Sequence, residues 1–485
     1  MNDPSATEFD EVYYEKLMDG LEISEIRLSD LERTTRIDAE FYQKKNLFIE
    51  QVLDKWDKSA FSKCFNVSDG NHMSISDDFC NEGVPYYRGQ DIYNLFIENS
   101  NPLYISKGAY NKAAMRRSYL KKGDVLMSIV GAIIGNSALV TSDREATCSC
   151  KLAILRSCDE SIMPETMLIF IKTKYGQNQI QKFKRGAAQT GLLLEDFEQL
   201  FIPKFSMKFQ YICKEYVDSI KILMDEAVHI YSEAEKLLIE TLGLENFNPE
   251  ADQYCIKSFK NSYGNTGRLD AEFYQQKYDE YEHAVLTYND GCVRIRDRFQ
   301  LIKTKCLRNL NEYHYVEIGD INIGNGSSAF NVVATENLPD NAKIMTRKGD
   351  VIVSTVRPNR GAVSILEEDN LLVSGAFTVL RQNSNYPKEL LQILLRTEIY
   401  RDWLLKYNVG TSYPVIKDDD ILNMPIPLFT NKVEQEVIQM VKKSQKSRRQ
   451  SEQLLEYAKR AVETAIEQGE DVAIAVCKQE GVING

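Results

Sequence analysis

The sequence predicts a mixed α/β protein built from two copies of one strand-rich unit, with two long, antiparallel, coiled-coil-like helices separating them. The first observation behind this prediction is that Arg36–Lys45 (RIDAEFYQKK) returns as Arg268–Lys277 (RLDAEFYQQK), with eight of ten positions identical. The second is that each copy leads into short apolar runs and then into a long helical pattern free of proline and glycine. Repetition on this scale predicts an internal pseudo-two-fold repeat.

Further landmarks repeat in the same order, at offsets of 226, 225 and 224 residues. They are GDVLMS at 123–128 with GDVIVS at 349–354, AILR at 153–156 with TVLR at 378–381, and FIPKF at 201–205 with MPIPLF at 424–429. Four landmarks in the same order leave little room for chance.

Each repeated motif is expected to enter an amphipathic helix, which in the first copy runs on to Trp56. The runs that follow carry β-branched and aromatic residues between turn signals, as strands do. A helix over 165–184 interrupts them, and a loop at 186–191 follows it.

The two long helices are predicted over 207–242 and about 431–468, each ended by a glycine, Gly243 and Gly469. Each carries a heptad seam. The seams are Tyr216, Ile220, Leu223, Ala227, Ile230, Ala234, Leu237 and Thr241 in the first helix, and Met440, Ser444, Ser447, Ser451, Leu454, Ala458, Ala461 and Ala465 in the second. Large knobs facing small holes favour packing of the helices on each other, the alternative being that each packs on its own globular unit.

Composition excludes several classes of protein. With 43% hydrophobic and 27% charged residues, the 485-residue chain is typical of ordinary soluble proteins. It has no apolar run long enough for a membrane span and no secretory signal, so a cytoplasmic location is expected. The ten cysteines are scattered and the four histidines stand alone, which disfavours disulfides, metal sites and histidine-based catalysis.

No catalytic or cofactor-binding motif is present. The chain lacks a Gly-x-Gly-x-x-Gly loop and a Gly-x-x-x-x-Gly-Lys-Ser/Thr loop. Asn101-Pro102-Leu103-Tyr104 is close to the Asn-Pro-Pro-Tyr loop of adenine methyltransferases but lacks its second proline, which favours a turn. The pattern indicates a binding protein that is not an enzyme and holds no cofactor or metal of its own.

The charge distribution points to nucleic acid in spite of a net charge of −12. The first 50 residues hold 13 acids against 6 bases, whereas residues 103–122 hold six bases and no acid. Local basic patches decide whether a surface can sit on phosphates. In the second copy, Arg357-Pro358-Asn359-Arg360-Gly361 forms a turn-like loop, and arginine and asparagine read guanine and adenine edges. The matching loop at 130–136 has no charge.

The DNA-binding candidates are basic, amide and hydroxyl residues of these segments, of the segment from Tyr86 to Ile92, of the basic pair before GDVIVS, and of the loops near residues 184–190 and 408–413. They are Arg88, Gln90, Lys107, Lys112, Arg116, Arg117, Lys121, Lys122, Lys184, Arg185, Gln189, Thr190, Arg347, Lys348, Arg357, Asn359, Arg360, Asn408, Thr411, Ser412 and Tyr413. The alternative for any one of them is a solvated surface residue.

The duplicated DAEFY segments and the long helix after each unit resemble the specificity (S) subunits of type I restriction–modification systems. The segment from Tyr86 to Ile92, the GDVLMS run and the Ile426-Pro427 pair before Glu434-Gln435-Glu436 add to this resemblance, which covers nearly the whole chain. In the first copy, Lys208-Phe209-Gln210 departs from the pattern because it lacks the acidic-glutamine pair.

The resemblance implies two α/β target recognition domains that each read half of a bipartite double-stranded DNA sequence, with the helices as a ruler between them. It implies as partners a DNA adenine-N6 methyltransferase subunit, usually in two copies, and a restriction/translocase subunit that acts in phage defence. S-adenosylmethionine, Mg and ATP are then expected on those partners and none on this chain.

The expected division of the chain follows the repeat. It has an acidic arm and motif helix (1–56), target recognition domain 1 (57–205), spacer helix 1 (206–243), a connector with the repeated motif helix (244–288), target recognition domain 2 (289–429), spacer helix 2 (430–468) and a tail (469–485). The acidic arm is expected either to pack near the second spacer helix or to dock a partner.

Three other functions stay open at this stage. The chain can serve a partner in which methyltransferase and nuclease are fused, it can be a protein-binding scaffold without DNA recognition, or it can be an enzyme acting on DNA through an unrecognised site. Binding of S-adenosylmethionine by the chain alone would favour the enzyme. Salt-sensitive binding to duplex DNA would exclude the scaffold.

Overall fold

The computed structural model describes residues 10–29, 31, 36–99, 102–186, 190–245, 247, 255–288, 291–410 and 412–479. The chain divides into two compact units, unit 1 with Met1–Ile222 and Gln450–Gly485, and unit 2 with Leu223–Arg449. No helix in the described ranges combines the length and the apolar character that crossing a membrane requires. All ten cysteines are free thiols.

In its described residues, the first part of the chain contains the following helices and strands. The helices are α1 (Glu11–Met18), α2 (Lys44–Leu53), α3 (Phe61–Cys64), α4 (Lys107–Tyr110), α5 (Pro164–Lys172) and α6 (Lys174–Phe183). The strands are β1 (Lys58–Ala60), β2 (Phe65–Asp69), β3 (Phe79–Cys80), β4 (Val84–Tyr87), β5 (Leu103–Ile105), β6 (Val125–Ser128), β7 (Ser137–Leu139), β8 (Thr147–Cys148), β9 (Leu152–Ser157) and β10 (Phe201–Pro203).

The long helix α7 (Met207–Thr241) follows, and the second part of the chain repeats the pattern. Its helices are α8 (Tyr263–Thr266), α9 (Gln276–Leu286), α10 (Lys388–Arg396), α11 (Glu398–Leu405), α12 (Asp418–Leu422), the long α13 (Asn431–Gln468) and α14 (Glu470–Gln479). Its strands are β11 (Cys292–Arg294), β12 (Phe299–Ile302), β13 (Glu312–Val316), β14 (Asn331–Ala334), β15 (Ala342–Met345), β16 (Val351–Ser354), β17 (Val363–Ile365), β18 (Leu372–Ser374), β19 (Phe377–Gln382) and β20 (Pro425–Pro427).

The two units share the order of one four-stranded sheet and differ in the second, whose parallel strand pair lies at an edge in unit 1 and in the centre in unit 2. A four-stranded antiparallel sheet has the order β2-β9-β6-β7 in unit 1 and β12-β19-β16-β17 in unit 2. A second sheet runs β3-β5-β4-β8 in unit 1 and β14-β13-β18-β15 in unit 2, and one pair in each, β4-β8 and β13-β18, is parallel. A two-stranded ribbon, β1-β10 or β11-β20, closes each globular part. The predicted internal repeat and mixed α/β class are confirmed.

The division between the units falls within both long helices. The first half of α7 shares unit 1 with the last half of α13, and the last half of α7 shares unit 2 with the first half of α13, so the helices are antiparallel. In unit 2 they pack directly on each other, since Ser444 Oγ donates to the carbonyl of Ala227 at 2.7 Å and Ser447 Oγ to Glu226 at 2.9 Å.

The seam of α13 is confirmed at its small positions, where Ser444, Ser447 and Ser451 are all buried. The buried face of α7 departs from its predicted seam. Ala227 and Ala234 are buried as predicted, but Tyr231 and Leu238 are more buried than their predicted neighbours Ile230 and Leu237. An α-helix has 3.6 residues per turn, so its buried face moves slowly forward against a strict seven-residue repeat.

The globular part of each unit packs against these helices. In unit 1, Trp56 Nε1 donates to the carbonyl of Ile466 at 3.1 Å, and Tyr175 Oη donates to Glu467 at 2.9 Å. In unit 2, Arg396 Nε donates to Tyr231 Oη at 2.8 Å. Both of the packing arrangements considered from the sequence are therefore present.

Two helix predictions were wrong in detail. The repeated motif does not itself form an α-helix: it folds into turns before α2 and into a short 3₁₀ segment before α9. The helix expected over 165–184 is broken at Thr173, whose extended backbone separates α5 from α6. A Cβ on Gly176 would meet the Phe170 carbonyl oxygen at 2.2 Å, so glycine permits this tight corner. The predicted tail contains α14.

A buried ion pair joins the central strands of each four-stranded sheet. Asp124, just before β6, accepts two hydrogen bonds from Arg156 of β9, at 2.7 and 2.6 Å. Asp350, just before β16, accepts two from Arg381 of β19, both at 2.7 Å. Each aspartate is 1% exposed. Gly123 and Gly349, which precede them, both have φ +89°, a conformation that favours glycine. The repeated GDV and LR landmarks are thus the two halves of one contact.

We expect Asp350→Asn to destabilise unit 2 by about 3 kcal/mol, because it leaves the half-buried Arg381 guanidinium without its carboxylate. Thermal melting together with amide hydrogen exchange in β16 and β19 measures the loss. Asp340→Asn, which changes an exposed aspartate of the same unit, is the matched control. Equal stabilities of the two variants would contradict a structural role for the pair.

Candidate nucleic-acid interface

The basic segment 107–122 of unit 1 folds as α4 followed by a 3₁₀ helix at Ala113–Ser118. Its Ala109, Tyr110, Met115 and Leu120 are buried, while its lysines and arginines are exposed. Tyr110 and Tyr119 stack on each other with centroids 4.1 Å apart, and Tyr119 Oη donates to the Tyr110 carbonyl at 2.6 Å. These tyrosines therefore pack within the segment itself.

Three cations of this segment are tied to carboxylates. Lys107 pairs with Glu145, Lys112 pairs with Asp78 at 2.7 Å, and Arg117 pairs with Asp69. Asp69 is also 2.5 Å from Nε2 of the exposed His72. These partners lie 34 to 48 residues from their cations in sequence, so local sequence patterns give no sign of them.

The other three cations, Arg116, Lys121 and Lys122, are exposed, and none of them has a side-chain ion pair within the described ranges. They are the residues of this segment that are best placed to meet phosphates, because an unpaired surface cation gives up no existing partner on binding. Lys121 and Lys122 directly precede β6, where the Lys121 backbone N–H donates to Asp124 at 2.8 Å.

Arg347 and Lys348 occupy the same place in unit 2, directly before β16. Both are exposed, and the Arg347 backbone N–H donates to Asp350 at 2.8 Å, as Lys121 does to its own aspartate. Each unit therefore presents two cations at the start of its central strand. The repeat predicts this equivalence, since the two basic pairs stand 226 residues apart.

The remaining candidates of unit 1 lie at the other end of β6. Arg88 and Gln90 belong to a turn in which Arg88 binds the buried Asp91 with two hydrogen bonds, at 2.9 and 2.8 Å. A Cβ on Gly89 would be 3.5 Å from Ile133 Cδ1, so the turn lies against the uncharged loop at 130–136. Gln90 is exposed, whereas the Arg88 guanidinium is held by Asp91.

The loop after α6 joins the same place. The Gly131 backbone N–H donates to the Thr190 carbonyl at 2.9 Å, and Leu192 N–H donates to the Ile129 carbonyl at 2.9 Å. Arg185 and Gly191 exchange two backbone hydrogen bonds, and the Arg185 guanidinium pairs with Asp196. Lys184 and Thr190 are half-buried, and Gln189 lies outside the described residues.

Unit 2 brings its two loops together in the same way. The loop after β16 meets the loop after α11, with Arg357 N–H donating to the Pro414 carbonyl at 2.7 Å and Ile416 N–H to the Thr355 carbonyl at 2.9 Å. Asn408 closes its own loop by accepting from the backbone N–H groups of Gly410 and Val415. Its side chain is therefore occupied within the fold.

The exposed side chains of these paired loops are Arg357, Asn359, Arg360, Ser412 and Tyr413. Thr411 lies outside the described residues. The Arg357 guanidinium lies 5.4 Å from the centroid of the Tyr413 ring, a cation–π contact that restricts an otherwise mobile side chain. These loops thus bring together five exposed candidate residues of unit 2.

Arg357 has a left-handed backbone conformation, with φ +51° and ψ +53°. That conformation costs a residue with a Cβ roughly 1–2 kcal/mol, and strained residues concentrate at functional sites. The hydrogen bond from Arg357 N–H to Pro414 holds the loop in this shape. An arginine therefore stands at a position whose backbone conformation is suited to glycine.

The site is polar but contains no metal cluster: within the described part of the chain, no three histidine, cysteine, aspartate or glutamate side chains are arranged to hold a metal ion. The loops can form hydrogen bonds through guanidinium, amide and hydroxyl groups. The exposed cations described above lie at the opposite end of the central strand, before β6 or β16. Such groups can contact base edges and phosphates.

We expect Arg357→Gly to be better tolerated than Arg360→Gly by about 1 kcal/mol of unfolding free energy. Glycine relieves the left-handed strain at 357, whereas at 360, within a 3₁₀ turn, it only adds freedom to the unfolded chain. Denaturant unfolding of the two variants side by side measures the difference. Equal costs would show that Arg357 carries no strain.

No protein-family model matches the chain. A 133-residue stretch, 26% of this chain, is 25% identical to the type I restriction enzyme HindI specificity subunit of Haemophilus influenzae. The match spans 28% of the length of that relative.

Solved structures that are similar include a type I restriction–modification S subunit from M. genitalium, at 13% identity and a TM-score of 0.38, over 85% of this chain and 95% of that one. An HsdS subunit from Thermoanaerobacter tengcongensis is similar at 14% identity and a TM-score of 0.29, over 85% of this chain and 97% of that one. The curated relative confirms the resemblance predicted from the motifs: the chain is similar to type I restriction–modification specificity subunits.

Proposed function

We propose that this chain is the DNA sequence-specificity subunit of a type I restriction–modification system, a recognition subunit without catalytic activity. Each unit reads one half of a bipartite target in double-stranded DNA. The chain positions a separate adenine-N6 methyltransferase, in two copies, and a restriction subunit that work on that DNA in the cytoplasm. S-adenosylmethionine, Mg and ATP are held by those partners.

The proposal rests on one observation: the two units repeat the same four-stranded sheet framework, but the loops of that framework differ between them. Both units have the same four-stranded antiparallel sheet and the same buried Asp–Arg pair. In each unit the loop after the central strand, β6 or β16, contacts the loop after α6 or α11. The contents of these loops differ. The loop at 130–136 in unit 1 is uncharged, whereas the matching loop in unit 2 contains Arg357, Asn359 and Arg360. Two copies that kept the frame and changed the loops are suited to reading two different sequences.

The roles of the candidate residues follow from their positions. In unit 2, Arg357 and Arg360 are proposed to donate to base edges in the major groove, where arginine pairs with guanine. The cations before the central strands, such as Lys121 and Lys122, are proposed to contact phosphates. A four-residue strand is about 10–13 Å long, which is comparable with the roughly 12 Å width of the major groove. One unit can therefore reach bases with one end of its strand and the backbone with the other.

Three of the candidate arginines are less suited to contact DNA, namely Arg88, Arg117 and Arg185. Each is already paired with an aspartate that is at most 12% exposed in its side chain. Binding a phosphate would compete with that pairing, and leaving a buried carboxylate unpaired is costly. We propose that these arginines shape the loops, while neighbours such as Gln90 and Thr190 face the DNA.

The charge reversal Arg116→Glu, Lys121→Glu and Lys122→Glu in one variant tests the electrostatic part of this proposal. Three lost phosphate contacts should reduce the slope of log affinity against log salt by about 2 to 3. Fluorescence anisotropy with duplex DNA at several salt concentrations measures the slope for the chain bound to its methyltransferase subunit.

The matched control carries Lys432→Glu, Lys442→Glu and Lys446→Glu, three exposed lysines of α13, and changes the net charge by the same amount. An unchanged slope in both variants would leave the protein-binding scaffold as the better account. Saturable binding of S-adenosylmethionine by the isolated chain would instead contradict the absence of catalytic activity.

A further inference from the structure

The repeated Arg-x-Asp-Ala-Glu-Phe-Tyr motif has no part in the interface described above, yet it makes the same side-chain contacts in both units. In unit 1, the Arg36 guanidinium donates two hydrogen bonds to Asp38, at 2.7 and 2.8 Å. Tyr42 Oη donates to the Arg36 carbonyl at 3.0 Å. The Arg36 guanidinium carbon lies 4.6 Å from the centroid of Phe41.

The second copy reproduces these contacts closely. The Arg268 guanidinium donates to Asp270 at 2.8 and 2.6 Å, and Tyr274 Oη donates to the Arg268 carbonyl at 3.0 Å. The distance from the Arg268 guanidinium carbon to the Phe273 centroid is again 4.6 Å. Because the motif closes on itself through its own side chains, it forms a compact turn that presents an aromatic ring.

In unit 1 that ring holds the end of α6. Lys182, in the last turn of the helix and 6% exposed, places Nζ 4.0 Å from the centroid of Phe41 and pairs with Glu50 of α2. Arg36 Nη1 also lies 3.5 Å from the Lys182 carbonyl oxygen. The ring thus contacts two cations, and one of them stands three residues before the Arg185–Gly191 loop.

In unit 2 the ring holds the end of α11. Lys406, 8% exposed, places Nζ 5.3 Å from the Phe273 centroid and 3.7 Å from Glu282 of α9. Arg268 Nη2 donates to the carbonyl of Asn408 at 3.0 Å. Asn408 is the residue whose side chain closes the loop that carries Tyr413.

These contacts are suited to fixing a loop. A buried ammonium is costly unless an opposite charge or a ring face compensates it, so Lys182 and Lys406 are held where the ring and the carboxylate meet. The motif contacts the chain at the point where it leaves the helix and enters the loop. A residue held there sets the position of the loop that follows.

We propose that each copy of the motif is a positioning device for the loop after α6 or α11, and that it controls the sequence specificity of its own unit only. Phe41 and Phe273 with their arginines are positioning residues that do not touch DNA. This inference rests on the proposed function. Each copy of the motif would then affect how well its own unit distinguishes the correct half of the DNA target from others.

The test uses Phe41→Leu and Phe273→Leu, which remove one aromatic ring each and keep an apolar side chain. Amide hydrogen exchange of the full chain gives a readout that needs no DNA. In Phe273→Leu we expect about tenfold faster exchange at Val409 and Arg357, whose N–H groups close the unit 2 loops, and no change in unit 1. In Phe41→Leu the increase is expected at Gly191 and Leu192, with none in unit 2.

The second readout is methylation by the complex with its methyltransferase subunit. The wild-type target is first located by sequencing methylated DNA, and duplexes with single base-pair changes in either half are then compared. Phe273→Leu should reduce discrimination about tenfold in one half-site and leave the other unchanged, while Phe41→Leu should do the reverse. Phe273→Tyr keeps the ring and should restore the wild-type values.

Phe330→Leu is the matched control, since Phe330 stacks on His314 elsewhere in unit 2, with centroids 4.2 Å apart. Equal effects of one variant on both half-sites, or a loss of methyltransferase assembly with unchanged discrimination, would overturn the positioning role. So would unchanged exchange in both loops. Absence of any split target for the wild-type complex would contradict the proposed function itself, and the exchange result would still decide whether the motif positions the loop.

Discussion

The buried aspartate–arginine pair before the central strand is the contact on which each unit depends. Asp124 or Asp350 uses both carboxylate oxygens on an arginine of the neighbouring strand, and one of them also accepts from the backbone N–H three residues earlier. This carboxylate therefore fixes where the central strand begins. The strand is only four residues long, so fixing its start also fixes the loop at its end.

The same pair separates the cations from the loops in each unit. Lys121 and Lys122, or Arg347 and Lys348, stand before the strand, and the loop that meets the post-helix loop stands after it. A frame of this kind tolerates change in the exposed side chains of its loops, because the buried pair does not involve them. That tolerance explains how one unit can present an uncharged loop and its copy can present Arg357 and Arg360.

The sequence predicted the repeat, the mixed α/β class and the bounds of the long helices, because these depend on local patterns. Identical motifs, glycine positions and proline-free stretches can be read directly along the chain. The motif itself was assigned to a helix wrongly, since its apolar spacing also suits a turn that is closed by Arg36, Asp38 and Tyr42. The break at Thr173 was missed because the helical pattern continues across it.

The candidate site was harder to predict for a physical reason. Whether a surface cation is available depends on carboxylates that are distant in sequence, such as Asp69 for Arg117 and Asp78 for Lys112. The parts played by Lys182 and Lys406 were also missed. The offset of 224 residues between them matches the repeat, so a comparison of the two copies beyond the obvious landmarks offers the signal that finds them.

The most direct measurement is to express the chain with its methyltransferase subunit and to map methylated adenines across a host genome by long-read sequencing. Two recognition units on one frame predict a split target, with two short and different half-sites around a gap of fixed length. A single continuous target, or the same methylation without this chain, would contradict the account.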